Sequence, residues 1–211
     1  MLNNKSSLFI FSVCLLLFPV FLISCNSGNP KNAAATNSSP PQVKKGIAPV
    51  ADSEIAVVET DYGTIKIELY SNIAPKMVAR FKELAREGIY SGTTFHRVNE
   101  NVIQSGDPLS KDDNPLNDGM GKSDKPNVDA EFSDIPYDTG IVGAARGQEA
   151  NTANSQFFIM LKRQPDFDTR YTVFGKVIEG MSNVQTIGGA PKQGEKPLEA
   201  IRIKSVSIQP K

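Results

Sequence analysis

The chain has 211 residues, room for one ordinary domain and a further segment. Lysine and arginine number 23 and aspartate and glutamate 23, so the formal net charge is zero and the basic excess that marks a nucleic-acid binder is missing. Both cysteines, Cys14 and Cys25, precede the part that can fold, and His96 is the single histidine, which excludes a disulfide framework and leaves too few soft ligands for zinc or iron.

Met1 to Ser7 are polar with one lysine, and Leu8 to Ile23 form an apolar run of about 16 residues broken by Pro19. That is shorter than the ~20 residues a membrane-spanning helix needs. A charged start, an apolar stretch and small residues before a cut point describe an export signal. The run ends in Leu22-Ile23-Ser24-Cys25, which resembles the lipobox of bacterial lipoproteins. The resemblance implies a signal peptide over 1–24 and a diacylglyceryl group on the Cys25 sulfur, which becomes the new N-terminus. The expected location is the bacterial cell envelope, lipid-anchored to a membrane, with the domain outside the cytoplasm.

Residues 25–52 are then expected to form the lipidated cysteine and a disordered tether. Asn, Ser, Pro, Ala, Gly and Lys dominate it, and such a segment buries too little apolar surface to offset its ordering entropy. Treated as a flexible coil it would span roughly 30 Å.

The folded domain is expected over 53–211. Ile55 to Thr60, the turn Asp61-Tyr62-Gly63 and Thr64 to Leu69 read as a hairpin, because Ile65, Ile67 and Leu69 alternate with Lys66 and Glu68. Pro75 opens a helix whose Val78, Phe81, Leu84 and Ala85 recur at helical spacing, and Gly88 stops it. Short strands follow at Thr94 to Val98, Val102 to Gln104, Gln156 to Leu161 and Tyr171 to Val177. A second helix runs around Met181 to Ile187 before Gly188-Gly189, and Ile201, Ile203 and Val206 suggest a last strand. Many short strands with few helices make the chain all-β, a barrel or a sandwich.

Several of these pieces carry a family resemblance. Ala74 to Tyr90, followed by Gly92-Thr-Thr-Phe-His-Arg-Val98 and then Gln104-Ser-Gly-Asp107, resembles the first helix and catalytic strand of cyclophilins. Thr139-Gly140, Ala144-Ala-Arg146 and Asn154 to Ile159 resemble the second signature of that family, and Tyr171 to Val177 the third. The match is ordered and runs from about Ile55 to about Ile208. It implies a closed eight-stranded antiparallel β-barrel, a size that side chains can fill, capped by two α-helices. It also implies a peptidyl-prolyl cis/trans isomerase working on proline-containing polypeptides, without cofactor or metal, and a monomer is expected.

The resemblance places Arg97 in the catalytic position, donating to the prolyl nitrogen of the twisted peptide bond. Gln104 would orient Arg97 and contact the substrate backbone. Val102, Phe158, Phe167 and Tyr171 would form the proline socket, and Ala145, Arg146 and Gln148 would line the groove for the residues before proline. His96 is read as structural or groove-lining, since bond rotation moves no proton. No Gly-x-Ser-x-Gly elbow exists, which sets a hydrolase aside. Lys111 to Asp118 is acidic but lacks the glycine and glutamate of a calcium loop, and it reads as a solvated loop.

The chain departs from the family pattern at four places. Asn99-Glu100-Asn101 replaces a Pro-Gly-Phe stretch, so an aromatic wall of the socket is lost and Val102 must fill it. Ala144 replaces a common methionine. Asp166 stands where some cyclophilins have a tryptophan that contacts cyclosporin, so weak cyclosporin binding is expected. Tyr171 replaces a histidine. The altered loop leaves a second reading, a non-catalytic proline-peptide binding or surface interaction module on the same fold.

Overall fold

The structure, a computed structural model, describes residues 41–112 and 114–211. The expected signal peptide, Cys25 and the first part of the expected tether lie outside the described residues.

The alternation that suggested the first hairpin produces it. Strand β1 (Glu54–Thr60) pairs antiparallel with β2 (Gly63–Leu69), Val58 opposite Ile65. Thr60 locks the turn: its Oγ1 donates to the Gly63 carbonyl at 2.7 Å and accepts from the Tyr62 N–H at 3.1 Å. Helix α1 (Pro75–Arg86) buries Met77, Val78, Phe81, Leu84 and Ala85. Proline at its first turn lacks an N–H, and the next two N–H groups, of Lys76 and Met77, donate to the buried Glu131 carboxylate at 3.2 and 3.0 Å. A residue 54 positions away thus satisfies part of the helix terminus. Gly88, at φ 71°, ends the helix as expected.

Beyond α1 come β3 (Arg97–Val98), β4 (Val102–Ser105), β5 (Ile141–Ala144), β6 (Phe157–Met160), β7 (Val173–Glu179), helix α2 (Met181–Gly188), β8 (Lys192–Gln193), β9 (Lys196–Pro197) and β10 (Ile203–Pro210). Among the described residues eight strands form one antiparallel sheet in the order β10-β1-β2-β7-β5-β6-β4-β3, and β8 and β9 make a separate small hairpin.

The sheet is open rather than the closed barrel expected. Its two edges, β10 and β3, share no ladder; between them lie an isolated bridge of Thr94 with Arg202 and three backbone hydrogen bonds linking Gly92, Thr93 and Phe95 to Ile201 and Ile203. The reason is length: β3 is two residues long, and the chain before it meets β10 only briefly.

The sheet separates two apolar clusters. One face carries Ile65, Ile67, Val98, Ile103, Val142, Phe157, Ile159 and Phe174 against Phe81 and Leu84 of α1 and Val184 and Ile187 of α2. The alternate positions Val102, Ile141, Phe158, Met160 and Val173 join Tyr137 in a second cluster. The period-two geometry of strands makes this division inevitable.

Residues 41–52 correct the far end of the expected tether. Lys44 bridges Ser133 in parallel and its Nζ donates to the Ile73 carbonyl at 2.6 Å, while Val50 N donates to Asn72 and Asp52 N to Leu69. Composition reads only apolar burial, and this segment is held mainly by backbone and polar bonds instead.

Candidate active site

Strand register sets five residues in a row across the sheet. Arg97 on β3 faces Gln104 on β4, Gln104 faces Phe158 on β6, Phe158 faces Gly143 on β5, and Gly143 faces Val173 on β7. Directly opposed residues share one face, so a charged fork, an amide and an aromatic ring come together by register alone.

Above this row lies a cavity of about 320 Å³, lined by His96, Arg97, Val102, Gln104, Ala145, Arg146, Phe158, Phe167 and Tyr171 together with Asp118 and Gly119. Its floor is aromatic. Phe158 is 4% exposed, stacks with Tyr137 at 5.8 Å, and meets the edges of Phe167 and Tyr171, both at 5.7 Å. Phe167 and Tyr171 lie 4.9 Å apart, and the Arg146 guanidinium caps Tyr171 at 4.7 Å from its ring centre. Such a box offers an apolar, weakly hydrated seat for a small ring.

Arg97 stands at the polar edge, its side chain 44% exposed. Its Nη1 donates to Gln104 Oε1 at 3.3 Å, and its Nε and Nη2 donate to the Glu195 carboxylate at 2.5 and 3.4 Å. Gln104 Nε2 donates to Gln156 Oε1 at 2.9 Å, and Gln156 Nε2 donates to the carbonyls of Gly119 and Gly121 at 3.0 and 2.8 Å. The hydrogen bonds from Arg97 and then Asn99 hold the Glu195 carboxyl below the usual range.

His96 is 8% exposed, and neither ring nitrogen has a hydrogen-bond partner among the described residues. Burial pushes its pKa down, against a weaker upward pull from Asp107 and Asp118, so the ring is neutral near pH 7. A neutral, unpartnered imidazole fits a wall and does not fit a proton relay.

A family model described as cyclophilin type peptidyl-prolyl cis-trans isomerase/CLD matches residues 55–208. The chain belongs to the cyclophilin family. A probable peptidyl-prolyl cis-trans isomerase of Brucella suis biovar 1 is 41% identical to this cyclophilin over 166 residues, covering 72% of this chain and 85% of the relative. Peptidyl-prolyl cis-trans isomerase-like 3 of Gallus gallus is 35% identical over 160 residues, covering 72% and 93%. Among solved structures, a Cryptosporidium parvum cyclophilin type isomerase determined in the presence of the dipeptide Ala-Pro has a TM-score of 0.67 at 32% identity, covering 73% of this chain and 98% of that one. The protein is a cyclophilin-type peptidyl-prolyl cis/trans isomerase.

The cavity of this cyclophilin gathers Arg97, Gln104, His96, Val102, Ala145, Arg146, Phe158, Phe167 and Tyr171. Gln148 is not among the lining residues: it is exposed, and its carbonyl accepts from Arg146 Nη1 at 2.9 Å, which turns that carbonyl to shaping the loop. Four contributors were not read from sequence. Tyr137 backs the floor. Asp118 ends the loop expected to be merely solvated and Gly119 follows it; the buried Asp107 carboxylate accepts the Gly119 N–H at 2.5 Å and folds this stretch back over the site. Glu195 reaches Arg97 from the β8–β9 hairpin, 98 positions away. No local pattern announces such a contact.

Proposed function

We propose that this cyclophilin isomerises X-Pro bonds of exported polypeptides outside the cytoplasm, with Arg97 as the catalytic residue and lipidated Cys25 as the membrane anchor. Rotation about the peptide bond faces a barrier of ~18–20 kcal/mol because the twist breaks amide resonance. As resonance is lost, the lone pair returns to the prolyl nitrogen, which becomes a hydrogen-bond acceptor only then. A donor that meets it strengthens on the way to the transition state, and that difference is what accelerates the step. A guanidinium suits the task, since it stays charged and presents fixed N–H directions.

The observation that carries this reading is the meeting of Arg97 with the aromatic cavity. A proline ring seated on Phe158, against Phe167 and Val102, would present its nitrogen at the edge where Arg97 stands, since all four residues line one cavity. Burial of the ring supplies ~25 cal/mol per Å² of apolar surface, and the substrate backbone would find Gln104 beside the arginine. No group is required to gain or lose a proton, in keeping with a neutral His96.

A protease-coupled assay on a short Ala-Pro peptide tests the role of Arg97. Arg97→Ala should lower kcat by ~10²–10³, the loss on removing one preorganised donor from a developing charge. Equal rates would leave the site a proline-binding surface. For the anchor, whole cells labelled with radioactive fatty acid should show label on the wild type and none on Cys25→Ala; label on both would overturn it.

A further inference from the structure

The β8–β9 hairpin contributes nothing to the cavity lining, yet its tip grips the arginine. Val98 N donates to the Glu195 carbonyl at 2.6 Å, which seats the hairpin beside β3. The Glu195 carboxylate then takes Arg97 Nε at 2.5 Å and Nη2 at 3.4 Å, side-on, and Asn99 Nδ2 donates to its Oε1 at 2.7 Å. A guanidinium has five N–H donors. Among the described residues Glu195 and Gln104 engage three of them, which leaves two, one on each terminal nitrogen. Those are the donors free to meet a substrate.

The neighbouring residue closes a circuit. Lys196 Nζ donates to Asp118 Oδ2 at 2.5 Å and to the Pro115 carbonyl at 2.9 Å, holding the hairpin against the loop that carries Gly119. Gly119 in turn receives Gln156, which receives Gln104, which receives Arg97. The arginine is thus fixed from both sides of one ring of bonds, and the hairpin and Gln156 are the parts of that ring that do not line the cavity.

We propose that Glu195 is a positioning residue for catalysis, aiming the Arg97 fork so that its two unengaged N–H groups face the seated proline. The inference rests on Arg97 being the group that meets the prolyl nitrogen. A stabilising role for the pair alone does not account for the arrangement, because the two side chains are 44% and 49% exposed and such ion pairs contribute little to folding. The carboxylate also draws off part of the guanidinium's field, which by itself would slow the reaction. Solvent screens that loss in a half-exposed pair, whereas nothing screens a misdirected donor. Orientation wins.

Steady-state kinetics on the Ala-Pro peptide, with melting temperatures measured alongside, separates the outcomes. Glu195→Ala should lower kcat about tenfold with KM within about twofold, the signature of a mis-aimed donor and a preserved socket. Glu195→Gln should recover much of the loss, since its amide oxygen still accepts the Nε–H. On an Arg97→Ala background, Glu195→Ala should cost nothing further. Full activity in Glu195→Ala, with Arg97→Ala slow, overturns the positioning role and leaves the arginine untouched. Full activity in Arg97→Ala overturns the reading of the arginine and this inference with it. An equal loss from Glu195→Ala with and without Arg97, or a loss that follows the melting temperature and appears in KM, assigns Glu195 a merely structural part and also overturns the proposal.

Discussion

Gly143 lies directly across from Phe158 in the sheet, and a single methyl group there would alter the proline seat. A Cβ built on Gly143 would come against Phe158 Cζ, with Cε2 at 2.7 Å and the Tyr137 hydroxyl at 2.8 Å. Comfortable carbon–carbon contact is ~3.5–4.0 Å, so the ring edge must retreat by about 1 Å. Tyr137, fully buried and stacked on Phe158, blocks one way out, and the cavity of about 320 Å³ is the other. Gly143 does not have a left-handed backbone, so alanine brings no φ penalty and the effect passes through the Phe158 ring and the Tyr137 hydroxyl. The ring can move into open space but the buried Tyr137 hydroxyl must shift too, so Gly143→Ala should cost ~1–3 kcal/mol of stability, the range for overpacking, a fall of about 2–12 °C in Tm for a domain of this size. The proline, however, loses its seat. A displacement of about 1 Å next to the reacting bond should lower kcat/KM by about ten- to a hundredfold. The coupled peptide assay and a thermal melt read the two numbers separately. A variant with kcat/KM within twofold of wild type would refute the placement of Phe158 as the socket floor, whatever its Tm.

Burial holds the folded pKa of His96 below its ordinary value of 6.5, so the unfolded chain takes up a proton before the folded one does. Stability is therefore fully present above about pH 6.5 and declines as pH falls through the folded pKa, with a slope of up to ~1.4 kcal/mol per pH unit. His96 is the single histidine, so urea unfolding should show that slope just below about pH 6.5 in wild type and lose it in His96→Gln. Asp166 is exposed at the turn that carries Phe167, and cyclosporin should bind weakly; complete inhibition by micromolar drug in the coupled assay would contradict this. Asn154 is 4% exposed, accepts from Ser123 N and Oγ at 2.9 and 2.7 Å, and donates to the Lys125 carbonyl at 2.9 Å. Asn154→Ala strands those partners and should cost ~1–3 kcal/mol by urea unfolding.

What the sequence made legible follows from the faces of its strands. β1 and β2 alternate or run apolar between clear turn residues, and α1 has proline before it and glycine after it, so each is readable in isolation. β5 was not read as a strand: all four of its residues are buried and two are glycine and alanine, so it has neither alternation nor bulk. The β8–β9 hairpin is short, polar and mostly exposed, with nothing for a hydrophobic pattern to detect. The site residues were found through the ordered motif, because Arg97, Gln104 and Phe158 sit on three adjacent strands and keep their spacing within each. Residues that reach the site from elsewhere, Tyr137, Asp118 and Glu195, have no such marker. Their position depends on how distant segments pack, which a single sequence does not display.

The altered loop after β3 connects these points. Read alone, Asn99-Glu100-Asn101 removes an aromatic side chain and weakens the socket. In the fold, Asn99 Oδ1 accepts the N–H groups of Asn101 and Val102 at 2.8 and 2.9 Å, which tightens the turn and brings Val102 to the cavity wall at 2% exposure. The same side chain's Nδ2 donates to Glu195. A phenylalanine in this loop could add apolar area but could not make that bond. Asn99 thus adds a third donor to the carboxylate that holds Arg97, where the family pattern would add wall. Tyr137, Phe158, Phe167 and Tyr171 still close the floor with four rings in contact, so the socket keeps its largest apolar surfaces. Val102 lines the cavity beside Arg97, which Glu195 and Gln104 hold, and under the role proposed for Arg97 the loop would trade grip on the ring for aim at the nitrogen.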